Sequence, residues 1–263
     1  MAIPLSAWPR TTFTPTLRAA SVRLLTFSAG PLATGVPFSE SRYGAPRAEL
    51  IKALDLRSLA REDDPTWFDG WRTGGLRSIA ARELTNVSVL DEVAFAHAIT
   101  CEIADAKDLA YLQTAWAAAI WFVERGASVV LDLHACQWHE DSELASLEPH
   151  RSFDLDHEVS FIVEADASAG IGHVMHTRGL AKFARPDLVA TVKTKGLATT
   201  EVALRRVAAS FVQGATIAPG QRISVNDNVS LSFDAYAPGK NAPDVHLNND
   251  GLLLRSIGES PAS

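Results

Sequence analysis

Residues 101–141 read CEIADAKDLAYLQTAWAAAIWFVERGASVVLDLHACQWHED. In order, they give the end of a strand over 95–103, a long apolar helix over 108–125, a second strand over 128–133 and a polar cluster at its end. Asp108 suits a helix start and Gly126 a C-terminal cap. The helix is apolar on nearly every face, interrupted mainly by Gln113 and Thr114, so it must be covered on all sides. Two strands joined through a helix form a crossover unit, and strand ends are where such units display chemistry.

Upstream, the first 39 residues hold no Asp or Glu but carry Arg10, Arg18 and Arg23 among many Ser, Thr and Pro. We expect a poorly ordered N-terminal arm over 1–40 leading into one strand, a targeting segment being the other reading of that composition. Leu50, Ile51, Leu54 and Leu59 are spaced for an amphipathic helix over 48–59 that starts after Pro46. The next stretch, REDDPTWFDGWRTGG, combines acids, Pro65 and glycines with Trp67, Phe68 and Trp71. It reads as an aromatic loop packing down, a candidate cover for the apolar helix. A short helix is expected over 77–85.

Downstream, strands are expected over 159–164, 173–177 and 188–192. A helix over 200–213 presents Val202, Leu204, Val207, Ala208 and Phe211 on one side, and short strands follow at 222–225, 229–235 and 245–247. The segment 168–172 reads as a hairpin linker, since no third glycine follows at the spacing a nucleotide loop requires. The last six residues, GESPAS, are expected to fray. The fold class is therefore α+β, a mixed sheet built from two βαβ-like (split βαβ) halves with helices packed on it. Residues 41–263 are expected to form a single domain, with a sub-boundary near 142–158.

Composition narrows the function classes. The chain has 263 residues, 47% hydrophobic, with 24 basic against 31 acidic side chains and a net charge of −7, enough length for a full core. No run of Lys or Arg tracks a phosphate backbone, so nucleic acid is not an expected partner. No stretch reaches the ~20 apolar residues of a membrane span, so no membrane is expected either. Cys101 and Cys136 read as two free thiols, which fits a reducing cytoplasm.

Two clusters could carry chemistry. Asp132, His134 and Cys136 alternate onto one face of a strand, and a turn at Gln137 would bring in His139, with Glu140 and Asp141 following. If any metal were bound, His134, Cys136 and His139 would be the ligands. A second ligand pair is missing, because His173 and His176 point to opposite faces of one strand, so we expect no metal, no cofactor and rim residues that are simply solvated. Asp63 and Asp64, and Asp154 and Asp156, likewise read as solvated acids. The second cluster is the turn His176, Thr177, Arg178 and Gly179. There Arg178 and the N–H groups of a short helix at Leu180 would hold a carboxylate or phosphate, with His176 alongside. The blander reading pairs Arg178 with Glu164 or Asp187 and uses Gly179 only for its positive φ.

This second segment, GHVMHTRGLAKFARPDL over 172–188, resembles an uncharacterised bacterial family of α+β proteins in which a His-Thr-Arg-Gly-Leu type of turn leads into a short helix and a strand. The resemblance covers about 95–192, and Ala184 stands where that pattern would have glycine. It implies the α+β fold and a bacterial source but no reaction. The expected function is a soluble cytoplasmic protein that binds another protein or a small anionic ligand without catalysis. The alternative is a hydrolase or metal-dependent enzyme using His134, Cys136 and His139 together with His176.

Overall fold

The computed structural model describes residues 5–33, 38–145, 151–166, 172–226, 229–239 and 244–257. The fold is α+β, with its strands in two sheets where one shared sheet was expected. The chain divides into two compact units: the first holds residues 1–10 and 19–154, the second 11–18 and 155–263. Residues 167–171, most of the expected hairpin linker, and the six C-terminal residues lie outside the described set.

Unit 1 is built on strands β1 (Ala19–Ser28), β2 (Leu54–Ala60), β3 (Phe95–Ala104), β4 (Ala127–Asp132) and β5 (Gln137–Glu140), in the order β2-β3-β1-β4-β5. Strand β1 runs antiparallel to both β3 and β4, so those two are parallel to each other with β1 between them. The crossover anticipated from 101–141 is therefore a split βαβ unit. The expected arm is corrected here: Ala19–Ser28 within it is the central strand of the sheet. Ala20, Val22 and Leu24 are buried and Arg23 is exposed, an alternation that the Arg disguised in the sequence. Neither Cys101 nor Cys136 is in a disulfide, and β1 separates β3 from the end of β4 where Cys136 sits.

Helices packed around this sheet include α1 (Glu40–Tyr43), α2 (Pro65–Arg72), α3 (Gly74–Glu83), α4 (Val89–Glu92) and α5 (Ala110–Val123). Helix α5 covers one face, with Phe122 stacked on His97 at 5.1 Å and Trp116 edge-on to His139 at 5.1 Å. Its outer side is closed by the buried Trp8, whose backbone N–H donates to Gln113 Oε1 at 3.0 Å. Gln113 Nε2 in turn donates to Ser6 O, so the lone amide of the apolar helix anchors the N-terminal segment. The aromatic stretch is not a loop and does not cover α5. Asp64 accepts the N–H of Trp67 and Pro65 sits in the first turn, which starts α2 where proline is harmless. Helices α2 and α3 pack on the opposite face, where Phe68 meets Phe27 at 5.9 Å beside Leu25, Val129, Leu131 and Trp138. The expected helix over 48–59 is a 3₁₀ turn, Ala48–Ala53, followed by β2.

Unit 2 opens with α7 (Leu155–Glu158), after the short α6 (Asp141–Ala145) closes unit 1. Its strands are β6 (Ser160–Asp166), β7 (Gly172–Arg178), β8 (Asp187–Val192), β9 (Arg222–Asn226), β10 (Val229–Ala235) and β11 (Gly251–Ile257), ordered β6-β7-β8-β11-β10-β9. All pairings are antiparallel except that of β8 with β11. Helix α8 (Leu197–Val212) packs on β7 and β8 through Leu204, Val207, Ala208 and Phe211. Residues 245–247 are not a strand; Val245 and Leu247 pack beside Val174, Val189 and Leu253, and the strand follows at β11. No helix among the described residues is long and apolar enough to cross a membrane.

Candidate functional site

The His176–Gly179 turn lies in unit 2, at the end of β7. Gly179 has φ +110°, and a Cβ there would meet Glu158 O at 2.4 Å, so only glycine fits. A 3₁₀ turn, Leu180–Phe183, follows and ends on Ala184, whose φ of +56° is a left-handed conformation that favours glycine. The N–H of Leu180 points where an anion was expected. The carboxylate found there is the chain's own: Asp187 Oδ1 accepts from Leu180 N at 3.3 Å and from Thr177 Oγ at 3.0 Å. Thr177 Oγ accepts from Leu188 N at 2.8 Å, and Asn249 Nδ2 donates to Asp187 Oδ2 at 3.1 Å and to Arg185 O at 2.8 Å. Arg178 donates to His246 O. His176 is buried, with Nε2 3.0 Å from Glu164 Oε1. Below the turn, Lys182 Nζ meets Glu158 Oε2 at 2.6 Å, both side chains almost fully buried.

Burial dominates the electrostatics of this region. It pushes the Asp187 carboxyl up to about 7, against the opposing pull of Asn249, Thr177, Leu180 and the Arg178 charge. Burial likewise lowers His176, with Glu164 opposing. Burial alone would raise Glu158, but Lys182 and His157 hold it down to about 2. Asp187 carries a pH prediction. An ordinary Asp near 3.8 in the unfolded chain holds its proton less tightly than the folded one at about 7, so its stabilising contribution is complete below the first value and is lost as pH rises through the second. Amide exchange in β7 and β8 is expected to quicken from pH 5 to pH 8 beyond the intrinsic rate, by up to about 1.4 kcal/mol of opening free energy per unit. Asp187→Asn should flatten that slope while lowering stability overall, because one accepted hydrogen bond is lost. An unchanged slope in the variant would assign it elsewhere.

Beside this network lies a cavity of about 730 Å³. Its apolar part includes Ile217, Tyr236, Val245, Leu247 and Leu252, and its polar part Arg18, Arg185, His246, Asn249 and Asp250. Arg185 is buried and donates to five backbone carbonyls, those of Thr14, Phe183, Ala184, Gly214 and Ala215. Arg18 pairs with Asp250, whose carboxylate is 80% exposed. The cavity and the turn are joined through Asn249, through Arg185 and through the His246 carbonyl. Arg185, Asn249 and Asp250 do not stand out in the sequence, where the Arg178 turn and the His134, Cys136 and His139 cluster do. The Asn-Asp-Gly run at 249–251 is a turn signal that precedes β11 and was available.

The other cluster resolves into turn chemistry. Asp132 Oδ1 accepts from His134 N at 2.9 Å and Ala135 N at 3.0 Å, closing the β4 end on itself. His134 Nε2 lies 3.1 Å from Ser21 Oγ, Cys136 Sγ 3.6 Å from Leu133 O, and His139 Nδ1 3.6 Å from Glu143 Oε1. Among the described residues, the ligand atoms of His134, Cys136 and His139 do not gather within 4.8 Å of one another. No family model matches the chain, and no curated protein or solved structure matches it either.

Proposed function

We propose that this is a soluble, cytoplasmic bacterial binding protein, without catalytic activity of its own, whose unit 2 takes a small amphipathic anion in the cavity beside the His176–Gly179 turn. The observation that carries this reading is the cavity itself. About 730 Å³ falls within the usual range for small-molecule sites, and an apolar body of the lining with a few convergent polar groups is their common composition. Two features favour a negative group. Arg185 supplies a fixed buried cation held by carbonyl dipoles, and Arg18 pairs with the exposed Asp250, a pairing worth little and readily exchanged for a ligand carboxylate. The polar groups of the turn hold each other: His176 with Glu164, Thr177 with Asp187, Arg178 with the His246 carbonyl. That supports recognition by a rigid wall over proton transfer by the turn.

Anilinonaphthalenesulfonate, an apolar ring system bearing one sulfonate, is a fitting probe. Its fluorescence is expected to rise saturably at one equivalent with the folded protein. Thr216→Trp, which fills the cavity from an exposed wall residue, should abolish the rise, and Arg18→Gln should weaken binding roughly two- to fivefold, the worth of one exposed charge pair. Binding that persists in Thr216→Trp with undiminished affinity would remove the proposal.

A further inference from the structure

Strand β2 is an edge of the unit 1 sheet, and its free side is unusually well specified. Alternate residues of an edge strand turn their N–H and C=O groups outward. The phase is fixed at both ends: Arg61 N donates inward to Ala94 O at 2.8 Å, whereas Ala60 N is taken by the Asp63 side chain and Leu54 N by Ile51 O. Leu56 and Ser58 therefore present their backbone groups to the open edge, while Asp55 and Arg57 direct theirs to β3. The side chains are open as well. Leu56 is 44% exposed, one of few large apolar side chains so displayed, and Asp55 and Arg57 flank it as an exposed pair.

We propose that β2 pairs antiparallel with β2 of a second copy of this chain about a two-fold axis at Leu56, joining two five-stranded sheets into one. Charge and backbone phase choose the same register. Centred on Leu56, the two Leu56 residues form a hydrogen-bonded pair that exchanges both backbone bonds, and Ser58 N of each copy reaches Leu54 O of the other. Asp55 of one copy then falls opposite Arg57 of the next, twice, at the closely spaced non-hydrogen-bonded positions where side chains approach best. Centring on Arg57 would set like charges face to face, and centring on Asp55 would do the same with carboxylates. A single-copy edge guarded against pairing carries unbalanced charge; this one carries a pattern, Asp-Leu-Arg, that is its own complement under two-fold rotation. Ser58 Oγ, 2.7 Å from His97 Nδ1, ties the strand to the buried core. The contact is small, so a concentration-dependent dimer is the form it takes.

Sedimentation equilibrium of the full chain tests this. The unmodified protein is expected to show a monomer–dimer equilibrium. Asp55→Arg and Arg57→Asp, each placing like charges opposite one another, should each weaken dimerisation by about tenfold or more. The doubly exchanged chain, carrying both substitutions, should recover it, and the two single variants mixed should form a heterodimer. Circular dichroism verifies that each variant remains folded, which the exposure of both side chains favours. A protein that stays monomeric at every concentration overturns the proposal, as does a dimer indifferent to the single substitutions or not rescued by the exchange.

Discussion

Replacing Trp116 by alanine is expected to lower the unfolding free energy of unit 1 by about 3–5 kcal/mol, the range for deleting a large buried aromatic. Trp116 is 1% exposed and sits at the centre of α5, between His139, which it meets edge-on at 5.1 Å, and Arg151, whose guanidinium lies 5.7 Å from its ring. The neighbours come from different elements, so no single side chain can move into the vacancy and the cavity term adds to the lost transfer energy. All six tryptophans of the chain belong to unit 1. Tryptophan fluorescence during denaturation therefore follows this unit alone, and a midpoint equal to that of the unmodified protein would show that α5 is not the core element it is taken to be.

The second large effect is expected at the buried pair Glu158 and Lys182. Lys182→Met leaves the buried Glu158 carboxylate without its lysine and with His157 alone beside it, which should cost unit 2 about 3–5 kcal/mol. Adding Glu158→Gln to the same chain should restore most of that loss, because the desolvation of both charges is then avoided. Glu158 also sets a limit at low pH. Its carboxyl is held down to about 2, so its contribution is present above the ordinary range near 4.5 and is lost as pH falls through the lower value. Amide exchange of β7 measures this unit. A double variant no more stable than Lys182→Met alone would mean that the damage is in packing and not in charge.

Much of the fold was legible in 95–133, because there the local signals agree: an apolar helix between two apolar strands leaves few other arrangements. What escaped was non-local. The strand β1 inserts between β3 and β4 from about 70 residues away, and nothing in its Arg-containing sequence announces a central position. In β2, Leu54, Leu56 and the alternating Asp55 and Arg57 carry a period of two, but Leu50 and Ile51 beside them suggested a helical spacing. In α2, Pro65 and the glycines outweighed the capping Asp64 in the reading, although proline is at home in a first turn. At the site, the sequence pointed to the Arg178 turn and to an anion held by Leu180 N–H. The turn is there, but the group that meets the Leu180 N–H is the chain's own Asp187 carboxyl, seven residues on, held in place by tertiary packing that also brings in Asn249. The cavity is assembled from residues 16 to 252, and no window of sequence displays it.

The most direct measurement of the central claim is amide chemical-shift mapping of the full chain titrated with anilinonaphthalenesulfonate. The cavity reading predicts saturable shifts concentrated at residues 184–187, 216–219, 235–238 and 244–252, with unit 1 undisturbed. Shifts confined to unit 1, or none that saturate, would contradict it.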